Sequence, residues 1–251
     1  MLALIVVLTV NALANLLPIN DLNTGEVSNL YPSLFTPAGF TFSIWSVIYL
    51  LLIGFVIVQW RILTAPYFAE LSLWFLLSSL ANVSWIFSWH YLYIYASVLI
   101  MLVLLFSLAR IFLLLQSAKI TAWPEKIFVK LPFTFYFSWI CVATIANFSA
   151  LLLSLSWEGG FLSPILWTMT MMTIASALGI FISRRFEEPS FLLVLIWALY
   201  GIYSRWHGTE NNQIAETALI ELIVLAVLFV IFLLVKRKPK LFTINKQKLF
   251  R

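Results

Sequence analysis

Long uncharged runs alternate with short polar connectors along this chain, and that alternation decides its class. Residues 38 to 60 contain no charged side chain at all. A helix rises 1.5 Å per residue, so about 20 apolar residues cross the hydrocarbon core of a bilayer. Eight stretches qualify as spans on this reading, at roughly 1 to 17, 38 to 60, 66 to 89, 92 to 116, 128 to 154, 161 to 183, 190 to 206 and 215 to 236. The first and seventh are the shortest. A helix keeps its backbone hydrogen bonds within one segment, as the water-free interior requires. The expected fold is therefore an all-α polytopic membrane protein of about eight transmembrane helices. Composition agrees, with 63 % hydrophobic and 10 % charged residues, against about 25 % charged in soluble domains.

Positive charge orients the spans. Arg61, Arg110, Lys119, Lys126, Lys130, Arg184, Arg185 and the basic run from Lys236 to Arg251 all fall on one side of this count, and Arg205 alone on the other. Both termini are expected in the cytoplasm of a protein of the plasma membrane. The connections at 19 to 37, 90 to 91, 157 to 160 and 207 to 214 then lie outside. A cleavable leader is the other reading of the first run, with Ala12, Leu13 and Ala14 as a small-residue site. No Lys or Arg precedes that run, so it is kept as the first helix.

Within the second run, Phe42, Trp45 and Tyr49 follow an i, i+3, i+7 spacing that puts three rings on one helical stripe. They form a wall for something flat, or they fill a helix interface, as Trp and Tyr do at membrane faces. Asn82, Trp85 and Trp89 repeat that spacing in the third run, and Trp139, Ala143 and Asn147 lie at i, i+4, i+8 in the fifth. A small residue between larger ones lets a helix or a flat ligand come close. An Asn inside a membrane is costly unless bonded, so Asn82 either ties two helices or meets a polar ligand group. Asn11 and Asn15, one turn apart, are expected to bond across helices. The 19 to 37 connection is polar and turn-rich, and it serves as a lid or as a solvated linker.

Taken in order, these residues resemble the translocator protein, or tryptophan-rich sensory protein (TspO/MBR), family. Thr36, Pro37, Ala38, Gly39, Phe40, Thr41, Phe42, Ser43, Ile44, Trp45 and Tyr49 are similar to its Pro-Pro-x-Trp-Val-Phe-Gly-x-Val-Trp-x-x-Leu-Tyr signature, with Ala38 at the second proline and Ser43 at the glycine. Asn82 and Trp85 match its Leu-Asn-x-x-Trp-Ser helix. Trp139, Ala143 and Asn147 match the Trp, small residue and Asn of its last helix, although Pro132 stands seven residues before Trp139 rather than four. The resemblance covers residues 1 to about 154. It implies a TspO-like five-helix ligand-binding unit over residues 1 to 155, with residues 156 to 251 adding three helices and a basic cytoplasmic tail.

What the family implies is a receptor or sensor that binds a planar apolar molecule, a porphyrin, another tetrapyrrole or a lipid-like compound. The ligand-binding residues on that reading are Phe42, Trp45, Tyr49, Asn82, Trp85, Trp139, Ala143 and Asn147. On the same reading no cofactor is required beyond a porphyrin ligand, and the expected partners are the lipid bilayer, that small molecule and a second copy in a homodimer. Two other classes stand beside it. One is a multi-span transporter, favoured by the span count and by the intramembrane Asn residues and Glu221; the other is a porphyrin-degrading enzyme, proposed for the family through an aromatic radical. Trp206 lies outside the stripes and is expected to matter little.

Several chemistries have no support. His90 and His207 fall in separate outer connections, and the lone cysteine, Cys141, lies in an apolar run, so neither a metal cluster nor a disulfide framework is expected. No phosphate-binding glycine loop or serine-nucleophile elbow is present. The net charge of +5 comes from membrane edges and the tail, which gives no nucleic-acid surface. Glu187 and Glu188, next to Arg184 and Arg185, read as a solvated charged turn.

Overall fold

The computed structural model describes residues 1–17, 19–157, 160 and 162–235. The basic run from Lys236 to Arg251 lies outside them, as do Glu158 and Gly159 of the expected 157 to 160 loop. Every regular element among the described residues is helical. In chain order they are α1 (Leu2–Leu16), α2 (Thr24–Leu30), α3 (Ile44–Val58), α4 (Phe68–His90), α5 (Ile94–Ser117), α6 (Trp123–Glu125), α7 (Leu131–Ser154), α8 (Pro164–Phe186), α9 (Ser190–Trp206) and α10 (Asn212–Val235).

Each of the eight expected spans is a helix. Among the described residues, six helical segments are long and apolar enough to cross a membrane: Gly39–Ile62, Phe68–His90, Ile94–Ser117, Trp123–Ser154, Pro164–Phe186 and Asn212–Val235. Helices α1 and α9 have 15 and 17 residues, about 22 and 25 Å of rise, short of a hydrocarbon core of about 30 Å.

Local chemistry explains the boundaries. Ser163 caps α8 by accepting from the Leu166 N–H, with Pro164 in the first turn where its missing N–H costs nothing. The same helix stops at Glu187, whose left-handed φ of 54° breaks the repeat two residues before Pro189. Pro132 likewise sits in the first turn of α7, after a π-helical turn at Lys126–Lys130. Pro132 and Trp139 both lie within α7, so the wider proline spacing seen in the sequence is helical throughout.

Helix α7 occupies the centre. Its buried residues, from Pro132 to Ala150, fall on all its faces, the pattern of a helix surrounded by others. It packs on α3, α5 and α9, while α1 leans on α4, and α10 touches α8 and α9. Ser138 of α7 donates its hydroxyl to the Phe191 carbonyl of α9 at 2.9 Å. Helix α10 is peripheral, with buried residues confined to Ile214, Ala215, Ala218 and Leu225.

The polar ends separate as the charge pattern requires. At one end Arg61 pairs with Glu125, Arg110 with Glu70 and Lys130 with Glu188, at 3.9, 2.9 and 3.0 Å. Glu188 is thus no solvated turn: it ties the entry of α7 to the loop before α9. At the opposite end the 19 to 37 connection meets His90 of α4 and Trp206 of α9.

Candidate ligand-binding site

Three short stretches supply the rings. Gly39–Ser43 forms a 3-10 turn before α3, and it carries Phe42. In the first turn of α3, Trp45 stacks on Tyr49 with centroids 5.5 Å apart and planes at 23°. The edge-to-face contacts of Trp45 with Tyr136 and Trp139, at 5.6 and 6.3 Å, and of Phe42 with Trp139, at 6.2 Å, join α3 to α7. Such T-shaped pairs set the electropositive edge of one ring against the electron-rich face of the next. On α4, Trp85 stacks on Trp89 at 5.7 Å and 17°.

Two adjoining hollows lie between these rings. A wide cleft of about 770 Å³ is bounded by α1, α2, α3 and α4, with Phe42, Trp45, Tyr49 and Trp85 among its walls. A narrow recess of about 50 Å³ continues toward α7 and is lined by Trp89, Trp139, Ala143 and Asn147, while Thr24, Phe42, Trp45 and Trp85 belong to both hollows. Ala143 leaves the room that a larger residue would fill.

Asn147 works as a bracket. It accepts the Trp85 indole N–H at 2.9 Å and donates to Ser97 at 2.9 Å, so α4, α5 and α7 are joined at one amide. With its indole edge held, Trp85 turns a fixed face to the hollow. The Tyr49 hydroxyl and the Trp139 N–H are buried without a hydrogen-bond partner among the described residues. Leaving such a group unmet costs about 1–3 kcal/mol.

Asn82 departs from the expected set. It is fully buried, lines neither hollow, and accepts from the Asn11 amide at 2.7 Å. Its oxygen holds α1 against α4, while its NH2 is buried without a hydrogen-bond partner among the described residues. The intramembrane acid is engaged too, since Glu221 of α10 accepts from Thr173 and Ser176 of α8, both at 2.7 Å.

The 19 to 37 connection forms a roof with its own helix. Asn23 caps α2, accepting from the N–H groups of Gly25 and Glu26, and Glu26 reaches back to the Asn23 N–H, a complete capping box. Asn20 donates to the His90 carbonyl and Trp89 donates to the Thr24 carbonyl, which fasten the roof to α4. Helix α9 holds its other end. Trp206 donates to the Leu34 carbonyl at 2.8 Å, Arg205 to that of Thr36 at 3.2 Å and Trp197 to that of Thr41 at 2.8 Å, while Gly201 accepts from the Ala38 N–H at 3.0 Å.

Sequence reading missed these supports. His90 is fully buried at the end of α4 rather than in a loop, with its Nδ1 2.8 Å from the Ile86 carbonyl and its Nε2 3.4 Å from the Thr24 hydroxyl. On α9 a signal was available: Trp197, Gly201 and Arg205 are spaced i, i+4, i+8, with a small residue in the middle, as Trp139, Ala143 and Asn147 are.

Residues 1–232 match the model of a family described as TSPO-like protein. The match runs well past residue 154, where the motif resemblance ends, and takes in α8, α9 and most of α10. Comparison with curated proteins gave no match, and comparison with solved structures gave none either.

Proposed function

The chain belongs to the TSPO-like protein family, and we propose from this that it is a membrane receptor or sensor whose roofed aromatic cleft takes a planar apolar ligand, such as a porphyrin or related tetrapyrrole. The observation that carries this reading is the convergence of the stacked Trp45 and Tyr49 rings and of Trp85 on one hollow of about 770 Å³, with Trp89, the stacking partner of Trp85, lining the recess beside it. Small-molecule sites occupy about 300–1,000 Å³ and are mostly apolar with a few placed polar groups. Ring faces attract flat π-systems, and Trp139 adds a buried N–H at the inner end.

Binding is favoured over permeation by what the intramembrane polar groups do. Asn11 and Asn82 bond each other, and Glu221 is held by two hydroxyls of α8. Transport sites instead leave such groups facing a substrate path. The roof faces the outside of the plasma membrane on this reading, with the Arg61, Arg110 and Lys130 ion pairs at the cytoplasmic face.

Titration of the detergent-solubilised protein with protoporphyrin, followed by tryptophan fluorescence, tests the proposal. Saturable quenching that Trp45→Ala weakens is the expected result. Quenching that rises linearly without saturation, unchanged by that substitution, would return the stacks to a packing role.

A further inference from the structure

The polar rim of the wide cleft is biased toward hydrogen-bond acceptors, and we infer that the ligand presents a donor there, an ammonium or N–H group, and not a carboxylate. This rests on the cleft being the ligand site. Asn11 donates to the Val7 carbonyl at 2.9 Å and to the Asn82 side-chain oxygen at 2.7 Å. Asn15 donates to the Asn11 carbonyl at 2.9 Å. A backbone carbonyl can only accept, so both amides must turn their NH2 groups back onto the protein. Asn11 then has no N–H left and offers only its side-chain oxygen, while Asn15 offers its oxygen and one remaining N–H.

Glu26 adds a carboxylate to the same rim. Asn23 is turned the other way, its oxygen capping α2 and its NH2 left over, while Asn29 and the hydroxyls of Thr24, Ser46 and Tyr49 can each donate and accept and favour neither. No Lys, Arg or His among the described residues lines either hollow. Arg205 is engaged by the Thr36 carbonyl, and His90 approaches Thr24 without lining either space. A ligand carboxylate would thus meet Glu26 and amide oxygens at the rim. At the inner end it would meet the Trp139 N–H in a desolvated recess with no cation, where an uncharged acceptor fits better.

The test holds the ring constant and changes its charge. Three probes are titrated into the full-length protein at neutral pH: protoporphyrin as the free acid, its dimethyl ester, and its diamide bearing terminal ammonium groups. Affinity should rise in that order, with about ten-fold between the ends of the series. Glu26→Gln keeps an oxygen for the Asn23 N–H, so the capping box survives. It should cut affinity for the ammonium probe about three-fold, the scale of one exposed charge pair, while leaving the ester unchanged. Asn15→Asp, which adds a carboxylate on α1, should raise affinity for the ammonium probe. Free acid binding as tightly as the ammonium probe, or an ammonium preference that neither substitution alters, overturns the inference and leaves the cleft as the site. Failure of all three probes to quench overturns the cleft reading itself.

Discussion

Trp206 donates its indole N–H to the carbonyl of Leu34, 172 positions earlier in the chain, at 2.8 Å. The contact binds the roof of the cleft to the last part of the chain, so Trp206 has a task that its position outside the aromatic stripes does not suggest. Trp206→Phe removes the N–H and keeps most of the ring. A lost hydrogen bond contributes about 0.5–1.5 kcal/mol, and the affinity for protoporphyrin should fall by about two- to ten-fold. Faster amide exchange over residues 33 to 38 should accompany it. Unchanged affinity and exchange would show that the roof holds without this bond.

Trp45 and Trp139 meet edge to face at 6.3 Å. Replacing either with Ala should weaken ligand binding by about 1–3 kcal/mol, the scale of a lost aromatic anchor. Trp123, which is exposed and lines neither hollow, serves as the control. Equal loss from Trp123→Ala would point to a general effect on the fold.

Asn82 joins α1 to α4 and does not line the cleft. Asn82→Leu should lower the thermal midpoint in detergent, by the equivalent of about 0.6–2 kcal/mol, with affinity for ligand nearly constant in the folded fraction. A large fall in affinity with no change in midpoint would put Asn82 back in the site.

Truncation after Leu155 separates the two parts of the chain. The remaining helices keep α7 with α3, α5 and α4 and should stay helical in detergent. They lose every α9 bond to residues 34 to 41, so ligand affinity should drop at least as far as in Trp206→Phe. A truncated chain that only aggregates would make the whole bundle one inseparable unit.

A reporter fused after Arg251 should be active on the cytoplasmic side, as the excess of Lys and Arg requires. Activity on the outer side alone would reverse the orientation and expose the Glu26 rim to the cell interior.

The membrane class, the helices and the aromatic part of the cavity walls were legible because each depends on local spacing. Phe42, Trp45 and Tyr49 come together through three residues per turn or nearly four, and Ala143 and Asn147 share a face of α7 for the same reason. Asn82 kept two readings open in the sequence, because a buried amide looks alike whether it meets a ligand or another helix. The partner of its oxygen, Asn11, stands 71 residues away, where no local spacing points to it. The supports from α9 were hidden more deeply. Trp197, Arg205 and Trp206 act on backbone carbonyls, and a carbonyl leaves no mark of its own in a sequence.

Gly201 lies where α9 comes closest to the roof. A Cβ there would fall 2.0 Å from the Thr41 hydroxyl oxygen, 2.8 Å from its methyl carbon and 2.9 Å from Cβ of Pro37. Both branches of Thr41 are too near, so rotating that side chain gives no relief, and the chain before α3 must move instead. Position 201 is therefore a shim: its side-chain volume sets the spacing between α9 and the start of the aromatic helix. A graded series from Gly to Ala to Ser would widen that seam stepwise, retuning the depth of the recess without altering any residue that faces it.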